Sequence, residues 1–290
     1  MDTLPLEDQV TALEGGRAYV EHTDVTLTVV SGAGARSWLH DLVTADVASL
    51  QRFQTRASLL LSPTGRIRAT FHVLGLGRDF LLAQPADQPA PVGELLAPYV
   101  LSSDVELGAS SLRVFSVPGA GPTLEWISEG WRPGIHGGGA VDLLVDGAQD
   151  DLLETRRRFA EAGLVPAHPG AVDALRIRRG IPRFPVDLDE DSLPAEADLE
   201  PTIDFTKGCF LGQESVAKVR NLGHPPRVVL ALRSEERTGA GEPVLSGGDE
   251  VGVVTSATTI PEGSALLARV RWAARKSDLR RVTGTALRPA

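Results

Sequence analysis

From Arg227 onward the chain has the texture of an all-β structure. Short strands at Arg227–Leu232, Val251–Ser256, Ala265–Trp272 and Arg281–Leu287 are divided by glycine-rich turns such as Ser246-Gly247-Gly248-Asp249. That spacing predicts a small barrel or sandwich over residues 227–290. The residues before it mix strands and helices without a regular βαβα alternation, which favours an α+β fold over a doubly wound sheet. At 290 residues, 42% of them hydrophobic, the chain suits about two domains and can bury a large core.

Periodicity places the earlier elements. Val25, Leu27 and Val29 alternate with Thr26 and Thr28, the pattern of a half-buried strand over Asp24–Val30. Ala35, Trp38, Leu39 and Leu42 recur at helical spacing, with Ser31 as a candidate cap. Ala57–Leu61 and Ile67–Leu74 flank Ser62-Pro63-Thr64-Gly65, a strong turn signal, so a hairpin is expected. In its second strand Ile67, Ala69, Phe71 and Val73 face one way, and Arg66, Arg68, Thr70 and His72 the other. Further strands are expected at Asp79–Ala83, Leu112–Val117 and Val141–Val145. Helices are expected at Gly93–Tyr99, Asp150–Ala162 and Ala171–Arg179, and a loop at Gly130–Gly139. Phe184–Asp204 carries eight acids and no Lys or Arg, which predicts an exposed, irregular segment.

Several functions are closed off. A single cysteine, Cys209, excludes an intrachain disulfide and any zinc or iron–sulfur site built from the cysteines of one chain. The net charge of -9 does not suit broad nucleic-acid coating, though it leaves room for a local basic pocket. The acidic N-terminus lacks the basic and apolar regions of a secretory signal, and no apolar run approaches the roughly 18 residues of a membrane span. A soluble, cytoplasmic protein is expected. Nothing in the sequence forces a dimer, and a monomer is the default. Ser31–Ser37 offers two glycines of a dinucleotide fingerprint but has Ser37 at the third position. There is no Gly-Lys dipeptide for a phosphate loop and no Gly-x-Ser-x-Gly elbow. The six histidines show no metal-ligand spacing, and no metal site is expected.

One segment carries chemistry: Lys207-Gly208-Cys209-Phe210-Leu211-Gly212-Gln213-Glu214, a loop running into a helix that starts near Gly212. Backbone N–H groups at a helix N-terminus favour anions. A thiol in that setting, two residues from Lys207, is expected to have a lowered pKa and raised nucleophilicity. The plain alternatives stand beside this. A free cysteine is often a buried small hydrophobe, Lys207 a solvated charge, and Gln213 and Glu214 ordinary first-turn residues.

The octapeptide resembles the K-G-C-[FY]-x-G-Q-E signature of the YgfZ-type folate-binding proteins, relatives of the glycine-cleavage T protein (aminomethyltransferase). Ala171–Pro182 resembles the family's A-x-D-x-L-R-I-E-x-G-I-P helix, Leu39–Val47 its F-L-x-x-L-x-T-x-D-V, and Leu61–Ile67 its L-x-P-x-G-R-I. The likeness runs over most of Gly15–Arg227. It implies a folate-binding α+β region over 1–226, made of two interleaved ferredoxin-like units, the second roughly 50–145. It also implies a C-terminal β-barrel and a central hole that holds tetrahydrofolate. On this resemblance Cys209 is a reactive thiol, and Lys207, Gly208, Gln213, Glu214, Arg176, Arg178 and Arg227 are the cofactor-binding candidates, with Lys207 and Arg227 suited to the glutamate tail. The YgfZ branch implies support of iron–sulfur client proteins; the T-protein branch implies folate-dependent aminomethyl or methyl transfer.

Two departures bear on that choice. T proteins carry an aspartate pair where this chain has Ala69 and Thr70, so the electrostatic role of a carboxylate is missing there. Arg178 stands where the family usually has a glutamate able to bind the pterin's N–H groups, and arginine offers only donors. The leading expectation is a folate-binding accessory protein. The alternatives are a transferase in which Glu214, Asp46 or another carboxylate replaces the lost aspartate, and a redox-sensing interaction module without folate.

Overall fold

The computed structural model describes residues 4–101, 103–119 and 141–290. Two compact units are present, and neither is one contiguous stretch: the first comprises Met1–Leu61, Arg68–Val172 and Thr202–Leu211, the second Ser62–Ile67, Asp173–Pro201 and Gly212–Ala290.

The first unit holds two sheets. One is five-stranded and contains β2 (Val25–Ser31), β3 (Thr55–Leu61), β4 (Ile67–Gly75), β5 (Phe80–Pro85) and β6 (Glu106–Ala109), in the order β3-β4-β5-β2-β6. The expected hairpin forms at β3–β4, and β4 alternates as its sequence demands: Ile67, Ala69, Phe71 and Val73 are buried. These last three join Ala35 and Leu39 of α2 (Ala35–Leu42) and Leu96 of α3 (Val92–Leu96) in one core. The other face of the sheet presents Leu27, Leu74, Leu81 and Ala83 to Val114 and Leu144 of the second sheet.

That second sheet has the order β8-β7-β1-β9, from β1 (Ala18–His22), β7 (Arg113–Val117), β8 (Val141–Val145) and the short β9 (Val165–Pro166), which runs parallel to β1. Its far face is covered by α4 (Gln149–Glu161). Phe159 stacks on Tyr19 with ring centroids 4.4 Å apart, and Phe115 completes the aromatic group. A first helix, α1 (Leu6–Glu14), buries Val10 and Leu13.

In the second unit a closed barrel of order β10-β13-β12-β11-β14-β15 forms from β10 (Arg227–Ser234), β11 (Pro243–Ser246), β12 (Asp249–Ile260), β13 (Gly263–Arg271), β14 (Leu279–Arg280) and β15 (Ala286–Pro289). Closure removes the exposed edges that an open sheet of this size would present. The single strand expected at Arg281–Leu287 is instead two, parted by a turn in which Gly284 takes φ +90°. The same unit holds α5 (Pro169–Arg178) from Asp173 on, the Ser62–Ile67 turn and α6 (Gln213–Leu222).

The acidic stretch departs from its expected exposure. Asp187 and Glu196 have no exposed surface, and Leu188 and Ser192 are buried with them. Buried carboxylates survive only when paired. Asp187 meets Arg176, and Glu196 meets Arg227. The expected Gly130–Gly139 loop lies outside the described residues.

Candidate functional site

The loop that carries the sole thiol is fastened at both sides. Lys207 sends its ammonium to three backbone carbonyls beyond and at the end of α2: those of His40, Val43 (2.6 Å) and Ala45 (3.0 Å). Helix C-termini leave carbonyls without intrahelical partners, and a lysine there satisfies both the bonds and the dipole. Burial pulls Lys207 down to about 8, against the opposing fields of Asp46, Asp41 and Asp204. The backbone adds to the attachment: Asp204 donates its N–H to the Thr44 carbonyl, and the Thr44 hydroxyl donates to the Thr202 carbonyl at 3.0 Å. The Asp204 carboxylate accepts from the Thr206 and Lys207 N–H groups, closing the turn. On the other side Phe210 is buried and Leu211 packs on the α2 core. Between these anchors Gly208 and Cys209 are exposed.

Two sequence motifs more than 150 residues apart, Leu39–Val47 and the segment from Lys207, are therefore one structural assembly. Asp46 belongs to it. Burial would raise its carboxyl, but hydrogen bonds from Ser49 and Arg56 outweigh that and hold it well below the usual carboxylate range. His40, 3.4 Å from Asp46, is lowered by burial and by Lys207.

The remaining predicted residues lie in the second unit. Gln213 and Glu214 open α6, whose N-cap Gly212 adopts φ +81°. Glu214 is exposed and pairs with Lys218 at 2.6 Å. Arg176 is buried and fully engaged, donating to Asp173, Asp187, Ser256 and the Ile181 carbonyl. Arg178 donates to the Thr259 carbonyl at 3.0 Å. Arg227 donates to Glu196 at 3.1 Å and keeps a third of its side chain exposed. Arg178 and Arg227 mark opposite ends of the barrel. Thr259 pairs with Ser264, which lies opposite Ser234 at the end of β10, whereas Arg227 begins β10 opposite Arg271.

At the positions of the T-protein aspartate pair, Ala69 is sealed in the α2 core. Thr70 is held by the Gln88 carboxamide, which accepts from its N–H at 3.0 Å and donates to its carbonyl at 2.7 Å. Neither position offers a carboxylate. Among the described residues no three His, Cys, Asp or Glu side chains are grouped to hold a metal ion, and no helix is long and apolar enough to cross a membrane.

Comparison with known proteins agrees with this architecture over its whole length. The chain is 25% identical over 268 residues to the aminomethyltransferase of Alcanivorax borkumensis, covering 82% of this chain and 72% of that protein. Over that span the chain is similar to aminomethyltransferases. It is also 35% identical over 117 residues to the aminomethyltransferase of Halothermothrix orenii, a match confined to 39% of this chain and 33% of that one. The crystal structure of the glycine cleavage system aminomethyltransferase T from Bartonella henselae superposes with a TM-score of 0.88 at 18% identity, over 99% of this chain and 89% of that chain. No protein-family model matches the chain. Aminomethyltransferase relatives thus share the α+β fold and barrel.

Sequence reasoning missed a third polar group. His22, Ser116 and Asp142 come together inside the four-stranded sheet, from three strands. The available signal was one acid inside the apolar strand Val141-Asp142-Leu143-Leu144-Val145.

Proposed function

We propose that this protein is a folate-binding accessory protein of the YgfZ type that presents a reactive thiol to iron–sulfur client proteins, rather than an aminomethyltransferase. The observation that carries the reading is the loop of Cys209: an exposed sulfur on a short segment held by three carbonyl bonds at Lys207 and by the buried ring of Phe210. Such a loop holds a nucleophile out to a macromolecular partner at little entropic cost on contact. One thiolate cannot hold a cluster, so the partner supplies the other ligands.

The residues present fit a folate in one respect and not in another. Its glutamate tail is anionic, and the partly exposed guanidinium of Arg227 retains donors beyond the one spent on Glu196, as suits a carboxylate. Arg178, also partly exposed, is the second cation we assign to folate, at the other end of the barrel from Arg227; Gln213, Glu214 and Gly208 remain candidates from their resemblance to the family motif. Lys207 and Arg176 act indirectly, by fixing the loop and the α5 helix. The reacting nitrogens of a folate, which supply the one-carbon chemistry when the group is bound, find no carboxylate at Ala69 or Thr70. Binding without transfer follows from that pattern.

Isothermal titration with folinic acid tests the binding: saturable heat is expected, weakened in Arg227→Ala. No heat and no thermal stabilisation at millimolar ligand would remove folate from the proposal. The family relatives favour a second reading, folate-dependent aminomethyl transfer. A methylene-tetrahydrofolate product assay with candidate amine donors separates the two. Turnover that survives Cys209→Ser would establish the second.

A further inference from the structure

The four-stranded sheet buries a carboxyl that the thiol and folate readings do not use. Asp142 in β8 has no exposed surface, and neither of its oxygens makes a hydrogen bond of good geometry. Strand alternation fixes where it points. Val141, Leu143 and Val145 face α4, while Leu144 packs in the seam against the five-stranded sheet, so Asp142 faces that seam as well. Ser116 of β7 is its cross-strand partner and is equally buried, but its hydroxyl is 2.9 Å from Nε2 of the buried His22 in β1. On the other side of the ring, His22 Nδ1 lies 3.2 Å from Asp24, whose side chain is about half exposed.

We propose that Asp142, with Ser116 and His22 beside it, is a pH-responsive joint in the seam between the two sheets of the first unit: the seam is tight while the carboxyl holds its proton and loosens when the carboxyl ionises.

An ionised carboxylate in an apolar interior without full hydrogen bonding is strongly unfavourable, so the group stays neutral or the packing opens. Its surroundings are apolar on the facing sheet, where β2, β4 and β5 contribute Leu27, Leu74, Leu81 and Ala83. The titratable side chains on the same face of β4 are His72, which burial lowers to about 4 and keeps neutral, and the exposed Arg68. Glu21 of β1 is paired with Arg156 of α4 on the opposite side of the sheet. Among the described residues, the groups that favour ionisation of Asp142 are the neighbouring Ser116 hydroxyl and the His22 ring. Burial outweighs both and pushes Asp142 up to about 7. Proton exit has a route: Ser116 and the His22 ring lie between the carboxyl and Asp24 at the surface. The same sealing excludes a hydrolytic role for this Ser–His–Asp group, since no substrate reaches a serine with no exposed surface.

Native-state hydrogen exchange of the full chain tests the proposal, following the amides of β7 and β8 from pH 5 to pH 9 after correction for intrinsic exchange. The expected opening equilibrium rises by up to tenfold per pH unit below about 7 and flattens above it, since the open state titrates at the ordinary aspartate value. Asp142→Asn is expected to abolish that rise. Ser116→Ala, which removes a group favouring the ionised form, is expected to move the plateau to higher pH. A wild-type opening equilibrium that does not vary with pH would overturn the proposal, as would an Asp142→Asn protein that follows the wild type. Should Asp142→Asn fail to fold, the wild-type profile and the direction of the Ser116→Ala shift decide the matter alone.

Discussion

The guanidinium of Arg176 lies 2.8 Å from the carboxylate of Asp187, and the pair is shut away from solvent at the root of the acidic stretch. Asp187 also accepts from the hydroxyls of Thr255 (2.5 Å) and Ser256 (2.7 Å) and from the Arg183 N–H (2.9 Å). One carboxylate therefore ties α5, the acidic stretch and β12 together.

Arg176→Met should be among the most damaging single changes in the second unit. It leaves Asp187 buried without its counter-charge, which costs about 3–5 kcal/mol. Urea denaturation should show the loss as a fall in midpoint at an unchanged slope. A change below about 1 kcal/mol would mean that the hydroxyls and the backbone N–H suffice.

Cys209→Ser should be silent in stability, within about 0.5 kcal/mol, because the side chain is exposed. The native wild-type protein should take up one equivalent of N-ethylmaleimide, read by intact mass, and the variant none. Wild-type protein that labels only after unfolding would place the thiol in a closed environment and remove it from the functional reading.

Restoring the T-protein carboxylate at the first position should fail. Ala69 has no exposure and packs with Leu39, Phe71 and Phe80, so Ala69→Asp buries an unpaired charge. A loss of about 3 kcal/mol or more in thermal or chemical unfolding is expected. An Ala69→Asp protein of wild-type stability would show that the core beside α2 admits a charge, and would reopen the transferase reading.

The Lys207 assembly has an acid-side signature. Burial opposes ionisation of Asp46, yet bonds from Ser49 and Arg56 depress its carboxyl overall. A depressed carboxyl contributes stability above its unfolded value of 3.8 and loses it as pH falls toward the folded value. Asp46→Asn should therefore lower the melting temperature at pH 7, and the difference should shrink steadily as pH falls below 3.8. A difference that persists unchanged into strong acid would show that shape, not charge, is what Asp46 supplies.

The legible parts of this fold were those with a local cause. The turn residues Ser62–Gly65 and the alternation of Ile67, Ala69, Phe71 and Val73 place a hairpin and its buried face, and the structure has both. The barrel is readable for the same reason at β10, β12 and β13, whereas the short β11 left no signal and the last expected strand is two. The Leu39–Val47 and Lys207–Glu214 motifs were each visible, but not their junction: a lysine aimed at three carbonyls over 160 positions earlier leaves no local pattern. The acidic stretch misled because charge density reads as solvation, whereas Asp187 and Glu196 are buried by arginines that lie outside it. Asp142 was concealed in a strand whose other residues are apolar.

The barrel strands run from Arg227 to the C-terminus, but two of their basic residues are held by residues far upstream. Arg269 donates to Asp189 at 2.5 Å, and Arg227 to Glu196. A fragment cut at residue 227 would strip those arginines of their anions and leave the Arg176-bound strap behind. Any recombination that exchanges this barrel between relatives must therefore bring residues 173–201 with it, so the heritable module is discontinuous even though the visible β-structure is not.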